Sequence, residues 1–298
     1  MPVTETKYPF DLKPIKISGT VLHVGFLTGD PAQEFLTEYN RRVSADYGNN
    51  RELAVLAYDK ERNVITGSYP LAVVLVNHIL RGSGLHVATQ ADLECVLRAG
   101  DPLGLRDNYE DTALVLRSED DPNSYLAHDI ATQIRERRGG ELKFPVMVPL
   151  RYFEVENDNS SKNEFGLRFK LSDDAKIVYA PILNQGGNFS SVDEKTGLPT
   201  ETGREGTRTL CTVESGLSWL HLGWDLDLFA LEYCPPCDVS FGRVVVVRDG
   251  AEGATPQSAV RAYTLQDIET ARKDVEEMQR VDANAGKNIE ALLEKLKQ

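Results

Sequence analysis

Residues 216–247, GLSWLHLGWDLDLFALEYCPPCDVSFGRVVVV, constrain what this chain can fold into more than any other stretch. Leu217, Leu220, Leu222, Leu226 and Leu228 form an aliphatic frame, and Trp219, His221, Gly223, Trp224, Asp225, Asp227 and Phe229 stand between them. Along residues 220–229 the two kinds alternate with a period near two, broken once at Trp224 and Asp225. A β-strand has that period because successive side chains leave opposite faces. The pattern predicts β structure with Leu220, Leu222, Leu226 and Leu228 buried and His221, Asp227 and Phe229 more exposed. Leu226→Asp is then expected to cost several kcal/mol, because a charge would enter the core unpaired. Exposed aromatic side chains give large contact area at small entropy cost, which suits a recognition surface. The competing reading places the same aromatics in the core, under a loop or under the C-terminal helix.

The rest of the chain mixes the two periodicities. Residues 15–27 read as a strand, and 31–42 as a short helix with Asp30 as N-cap before Pro31. Residues 52–58 read as an apolar strand, and 71–80 as a buried helix stopped by Gly82. Thr89 caps a helix over 90–99 that Gly100 closes, and 112–116 is a strand. Residues 123–138 are helical, with Leu126, Ile130 and Ile134 on one stripe and Gly139 and Gly140 as the stop. From Leu142 the character turns to β: strands at 143–155, 165–170 and 175–183, with Pro145 and Pro149 at edges or bends. A turn falls at 157–163, a loop at 185–207, and β structure again at 209–247. Residues 264–298 read as a helix with Leu265, Ile268, Ala271, Val275 and Met278 on one stripe, packed on the body or paired with a second copy. The fold class is α+β, with an N-terminal α/β region at 1–105, a β-rich domain at 106–262, and a helical tail at 263–298.

Charge narrows the function. The chain of 298 residues carries a net charge of -13 and no dense Lys/Arg stripe, so it is not expected to bind nucleic acid. No apolar run reaches the roughly 20 residues that cross a bilayer, and residues 1–10 lack the apolar segment of a secretory signal. Synthesis in the cytoplasm, with a final place there or in a virion, is the expectation.

Individual motifs point weakly to chemistry. Cys234, Pro235, Pro236 and Cys237 form a CxxC pair, but DVSFGRVVVV after it is a strand, whereas redox use needs a helix N-terminus to lower the thiol pKa. Cys211 and His221 could complete a zinc set only at unusual spacing. His128 lies on the 123–138 helix one turn before Thr132, and His23, His78 and His86 follow strand or helix patterns with no carboxylate at a fixed spacing. The acidic turn at 158–164 supplies oxygens for calcium but not in the EF-hand order, so a hairpin turn is the better reading. No metal ion or cofactor is expected.

The stretch at 216–247 also resembles the variable region of diversity-generating retroelement target proteins, which have a C-type lectin-like fold. The resemblance rests on Gly216, Leu217 and Ser218 at its start, the aliphatic frame, and the close at Gly242, Arg243, Val244, Val245, Val246 and Val247. It implies that the close is a core strand of a lectin-like domain within 106–262. It also implies adenine-directed mutagenesis of AAC codons to NNC, which never encode Trp, Glu, Lys, Gln or Met. His221, Gly223, Asp225, Asp227, Phe229, Tyr233, Asp238, Ser240 and Phe241 fit such codons and form the implied ligand-binding set, and the CPPC pair would be a chance draw. Trp219, Trp224 and Glu232 would be fixed scaffold. The implied function is non-enzymatic binding of a variable macromolecular ligand, a protein in the first instance. Two alternatives stand beside it: a hydrolase using His221 with Asp225 or Asp227, and a structural or virion subunit that assembles as a homo-oligomer through the 264–298 helix.

Overall fold

The computed structural model describes residues 7–17, 20–231 and 241–248. The fold is mixed α+β and rich in sheet, with four α-helices among the described residues. Near the N-terminus a hairpin forms from β1 (Lys13–Ile17) and β2 (Thr20–Phe26) where the sequence suggests one long strand. Helix α1 (Gly29–Tyr47) follows. Its N-cap is Thr28, two residues before the Asp30 expected in that role, and Asp30 instead places its carboxylate in the first turn, where the helix dipole favours it. The expected strand at 52–58 is mostly turn, because Asn50 folds the chain back, its side chain accepting the Glu52 amide and donating to the Phe165 carbonyl. Only β3 (Ala57–Asp59) and β4 (Val64–Thr66) extend there, as a two-stranded hairpin.

Helix α2 (Pro70–Leu80) is apolar all round and buried almost throughout, as its composition predicts. Its one amide, Asn77, bridges neighbours, accepting from the Val87 amide and donating to the Arg151 carbonyl. After β5 (Leu85–Val87), helix α3 (Gln90–Arg98) opens on the expected Thr89 with a reciprocal capping box to Asp92. Strand β6 (Glu110–Leu116) leads to α4 (Ser124–Arg138), which ends on Gly139 in the left-handed conformation. Strand β7 (Val146–Pro149) is short, and β8 (Phe153–Asn157) and β9 (Leu167–Leu171) pair as a hairpin around the expected turn. The strand expected at 175–183 reduces to β10 (Val178–Tyr179) before a 3-10 turn. Then come β11 (Gly187–Phe189), β12 (Arg208–Thr212), β13 (Leu217–Leu222), β14 (Leu228–Leu231) and β15 (Val245–Arg248).

Two larger sheets organise these strands. A four-stranded antiparallel sheet has the order β1-β2-β15-β5. A seven-stranded sheet, curled into a half-barrel, has the order β10-β7-β6-β13-β14-β12-β11. The expected boundary at 105/106 does not separate one core from another. Strand β15 inserts between β2 and β5, and the described residues all fall in one unit by their contacts. The helix expected at 264–298 lies outside the described residues.

Both faces of the seven-stranded sheet are covered. Leu217 and Trp219 of β13 join the core built with α1, α2 and α4. Leu220 and Leu222 point the other way, into a second core with Leu93 and Val96 of α3. Val244, just before β15, and Val246 enter the first core, and Val245 and Val247 the second.

Candidate functional site

The sequence-predicted surface centres on the junction of β13 and β14. These strands pair antiparallel with His221 opposite Phe229 and Leu222 opposite Leu228. The connecting turn is closed from within. The Gly223 amide donates to the Asp227 carbonyl at 2.8 Å, and the Leu226 amide to the Gly223 carbonyl at 2.8 Å. Asp225 Oδ1 accepts the Asp227 amide at 3.1 Å, and Asp227 Oδ1 accepts the Thr209 amide of β12 at 2.6 Å. Both carboxylates therefore hold backbone.

The leucine frame is only partly as expected. Leu217, Leu220, Leu222 and Leu228 are fully buried. Leu226 is half-buried and sits in the turn at φ 74°, because Trp224 and Asp225 break the alternation and spend the following residues on reversing the chain. A charge at position 226 would therefore not enter the core unpaired.

The face opposite Leu220 and Leu222 is also different from the expectation of an open display. It is core at Leu217 and Trp219 and opens only at the strand end, at half-buried His221. There a row of side chains crosses four strands. Asp111 of β6 is opposite His221, His221 opposite Phe229, and Phe229 opposite Cys211 of β12. The His221 and Phe229 rings stack, with centroids 5.2 Å apart and planes at 10°. Tyr109 meets His221 edge-on at 6.1 Å. Gly223 belongs to this stack and is not a displayed position: a Cβ there would lie 2.4 Å from the Phe229 ring.

A β-bulge sets the chemistry of β6 here. Leu220 pairs with Ala113 and His221 with Asp111, leaving Thr112 as the extra residue. Glu110 and Asp111 then lie on opposite faces, Glu110 buried and Asp111 half-buried. Ser68 Oγ donates to Asp111 Oδ2 at 2.6 Å, and the Asp111 amide returns a bond to that hydroxyl at 3.1 Å. Burial raises the Asp111 carboxyl to about 6, with the Ser68 bond opposing. Glu110 has no hydrogen bond to either carboxylate oxygen, and burial drives it well above the usual carboxylate range. Burial lowers the His221 imidazole to about 4, against a smaller opposing pull from Asp225.

The other end of the predicted surface arrives through residues 107–109. The Asp107 amide donates to the Trp224 carbonyl at 2.7 Å, and the Tyr109 amide to the Phe241 carbonyl at 3.1 Å. One short segment thus holds both ends of the variable-like stretch. Trp224 and Phe241 are exposed, Trp224 at 64% the most exposed of the large apolar side chains among the described residues. Trp219 is core, edge-on to Tyr69. Tyr233, Asp238 and Ser240 lie outside the described residues, as do Glu232 and the Cys234 to Cys237 motif.

Two of the other sequence candidates, Asp158 and His128, have structural partners. Asp158 accepts from the Ser160 amide and the Asn163 side chain, closing the β8–β9 hairpin. His128 Nδ1 meets Glu119 Oε2 at 2.6 Å on the surface of α4. Cys211 is half-buried with its thiol pushed up by burial, and no cluster of three metal-ligating side chains occurs among the described residues. No helix among them is long and apolar enough to cross a membrane. Sequence reasoning missed Tyr109, Glu110 and Asp111; the visible signal was an acidic pair opening the apolar run TALVL.

Fold and site together define a sheet-rich α+β protein with a rim of aromatic and acidic side chains at one end of its large sheet. No family model, curated protein or solved structure matches the chain.

Proposed function

We propose that this protein is a non-enzymatic binder of a macromolecular ligand, a protein in the first instance, which it meets with a replaceable surface on a constant scaffold. The observation that carries the reading is the shared anchor at residues 107–109, which brings Trp224 and Phe241 to the surface together while the leucines beneath are fully buried. The displayed set is His221, Asp225, Phe229 and Phe241, joined by Trp224. Gly223 and Asp227 act as scaffold, since one admits no side chain beside Phe229 and the other caps the Thr209 amide. A C-type lectin-like arrangement belongs to the proposal. Its support is β15, the expected core strand, which lies inside a sheet and antiparallel to β2 near the N-terminus. Acid–base catalysis by His221 with Asp225 or Asp227 is the weaker reading, because both carboxylates already accept backbone amides.

The test is a library randomised at His221, Asp225, Phe229 and Phe241, scored for melting temperature and for capture of a partner, beside a second library at Gly223 and Asp227. Changes at exposed Asp225 and Phe241 should shift stability by about 0.5 kcal/mol or less, changes at half-buried His221 and Phe229 somewhat more, and most members should stay folded and lose the partner. The second should lose stability. If the first library unfolds as readily as the second, the four residues are core and the proposal fails.

A further inference from the structure

Glu110, the first residue of β6, is 2% exposed, and neither of its carboxylate oxygens has a hydrogen bond. It lies opposite Leu222 of β13, which enters the second core. Acids this deeply buried are as a rule bonded or paired, so an orphaned one calls for an explanation. We infer that Glu110 is a pH-sensitive latch on the surface of Trp224 and Phe241: its protonated form keeps residues 107–111 packed, and its ionised form lets them open and frees both aromatic side chains. The consequence for binding rests on the proposed function, whereas the latch itself is tested without a partner.

Position is the first reason. The three residues directly before Glu110 are the anchor, through the Asp107 amide on the Trp224 carbonyl at 2.7 Å and the Tyr109 amide on the Phe241 carbonyl at 3.1 Å. The Tyr109 carbonyl in turn accepts the Arg243 amide at 3.0 Å. A carboxylate that leaves the core for water at the start of β6 therefore draws on all three bonds. The way out is short, because Asp107, three residues earlier, is already exposed.

The surroundings of Glu110 favour the neutral acid while the segment is closed. Burial is the largest influence on it, Arg243 before β15 pulls the other way, and Asp101 after α3 and Asp111 on β6 itself add to the effect of burial. An unbonded neutral group costs far less in such a place than an unbonded charge. Once the segment opens, Glu110 is solvated and titrates near the usual 4.5. Above that pH the open form gives up a proton that the closed form keeps, so opening becomes up to about tenfold easier per pH unit until the closed form ionises too. Asp111 acts in the same sense only as far as its own value of about 6.

Hydrogen exchange of the full chain reads the opening, followed by NMR from about pH 6.5 to 8.5 and corrected for the intrinsic pH dependence of exchange. Protection of the Asp107 and Tyr109 amides should fall about tenfold or more across that range in the parent and equally in Asp111→Asn. In Glu110→Gln, which keeps the shape and cannot ionise, it should fall less than about threefold. The Arg117 amide, on the Gly216 carbonyl at 2.9 Å beyond the far end of β6, should stay the most protected of the three, which marks the opening as local. The inference is overturned if protection in the parent does not change, if it falls as far in Glu110→Gln, or if the Arg117 amide exchanges as fast as the other two. Should Glu110→Gln fail to fold, the parent and Asp111→Asn decide: a fall in both supports the latch, and constant protection in either overturns it. None of these readings uses a partner, so failure of the latch is distinct from failure of the binding surface in the library.

Discussion

His221 and Asp111 face each other across β13 and β6, and burial pushes their proton affinities in opposite directions. For His221 the folded pKa is about 4 against the usual 6.5, so folding favours the neutral ring. Its contribution to stability is present above 6.5 and is lost as pH falls from there through 4. For Asp111 the folded pKa is about 6 against the usual 3.8, so the neutral acid is favoured there too. That contribution is present below 3.8 and is lost as pH rises through 6. Between pH 4 and 6 both groups are therefore neutral in the folded protein. The His221 ring protons should titrate near pH 4 by NMR, and a midpoint close to 6.5 would show a solvated ring. His221→Phe should remove some of the loss of stability seen on acidification from pH 7 to pH 5. Asp111→Asn should gain on the parent as pH rises from 4 to 7.

At the scale of the element, β13 and its turn show how one leucine pattern serves two purposes. Leu220 is fully buried against the α3 side of the sheet, and Leu220→Ala should cost about 2–5 kcal/mol. Leu226 has the same place in the alternation and a different one in space. At φ 74° a β-carbon is unfavourable, and asparagine tolerates that conformation better than leucine. Leu226→Asn should therefore change stability by about 1 kcal/mol or less, in either direction. Equal losses at the two positions in denaturant unfolding would mean that residue 226 is core after all.

For the whole molecule, Arg117 is the central polar tie. It is 4% exposed, and its guanidinium donates to the Leu183 and Ala230 carbonyls and to the Ser218 and Thr212 hydroxyls. Those partners belong to β12, β13, β14 and the turn before β11, so one side chain joins strands from across the large sheet. Burial lowers its pKa to about 10, which still leaves it charged at neutral pH. Arg117→Met keeps the stem but removes the guanidinium's bonds, each worth about 1.5–3 kcal/mol from a charged donor, although the Leu183 and Ala230 carbonyls keep the Thr212 and Ser218 hydroxyls as donors. Loss of about 3 kcal/mol or more, measured by urea unfolding, is the expected outcome. A loss below about 1 kcal/mol would show that water replaces the guanidinium.

The sequence alone determined the elements whose causes are local. Helix α2 follows from an unbroken apolar run, α3 from the Thr89 box, and α4 from its leucine and isoleucine stripe and the glycine after it. The burial of Leu220, Leu222 and Leu228 follows from period two. What lies between strands was not legible, because it depends on which distant segments meet. Nothing local to 107–109 says that its amides hold Trp224 and Phe241. The valines after Gly242 do not announce β2 and β5 as neighbours. Strand pairing between residues two hundred apart is decided by the burial of both sheet faces together, and only the tertiary structure brings those faces together. The same cause misled the reading of β13, where alternation predicts two environments but does not say that both are interior.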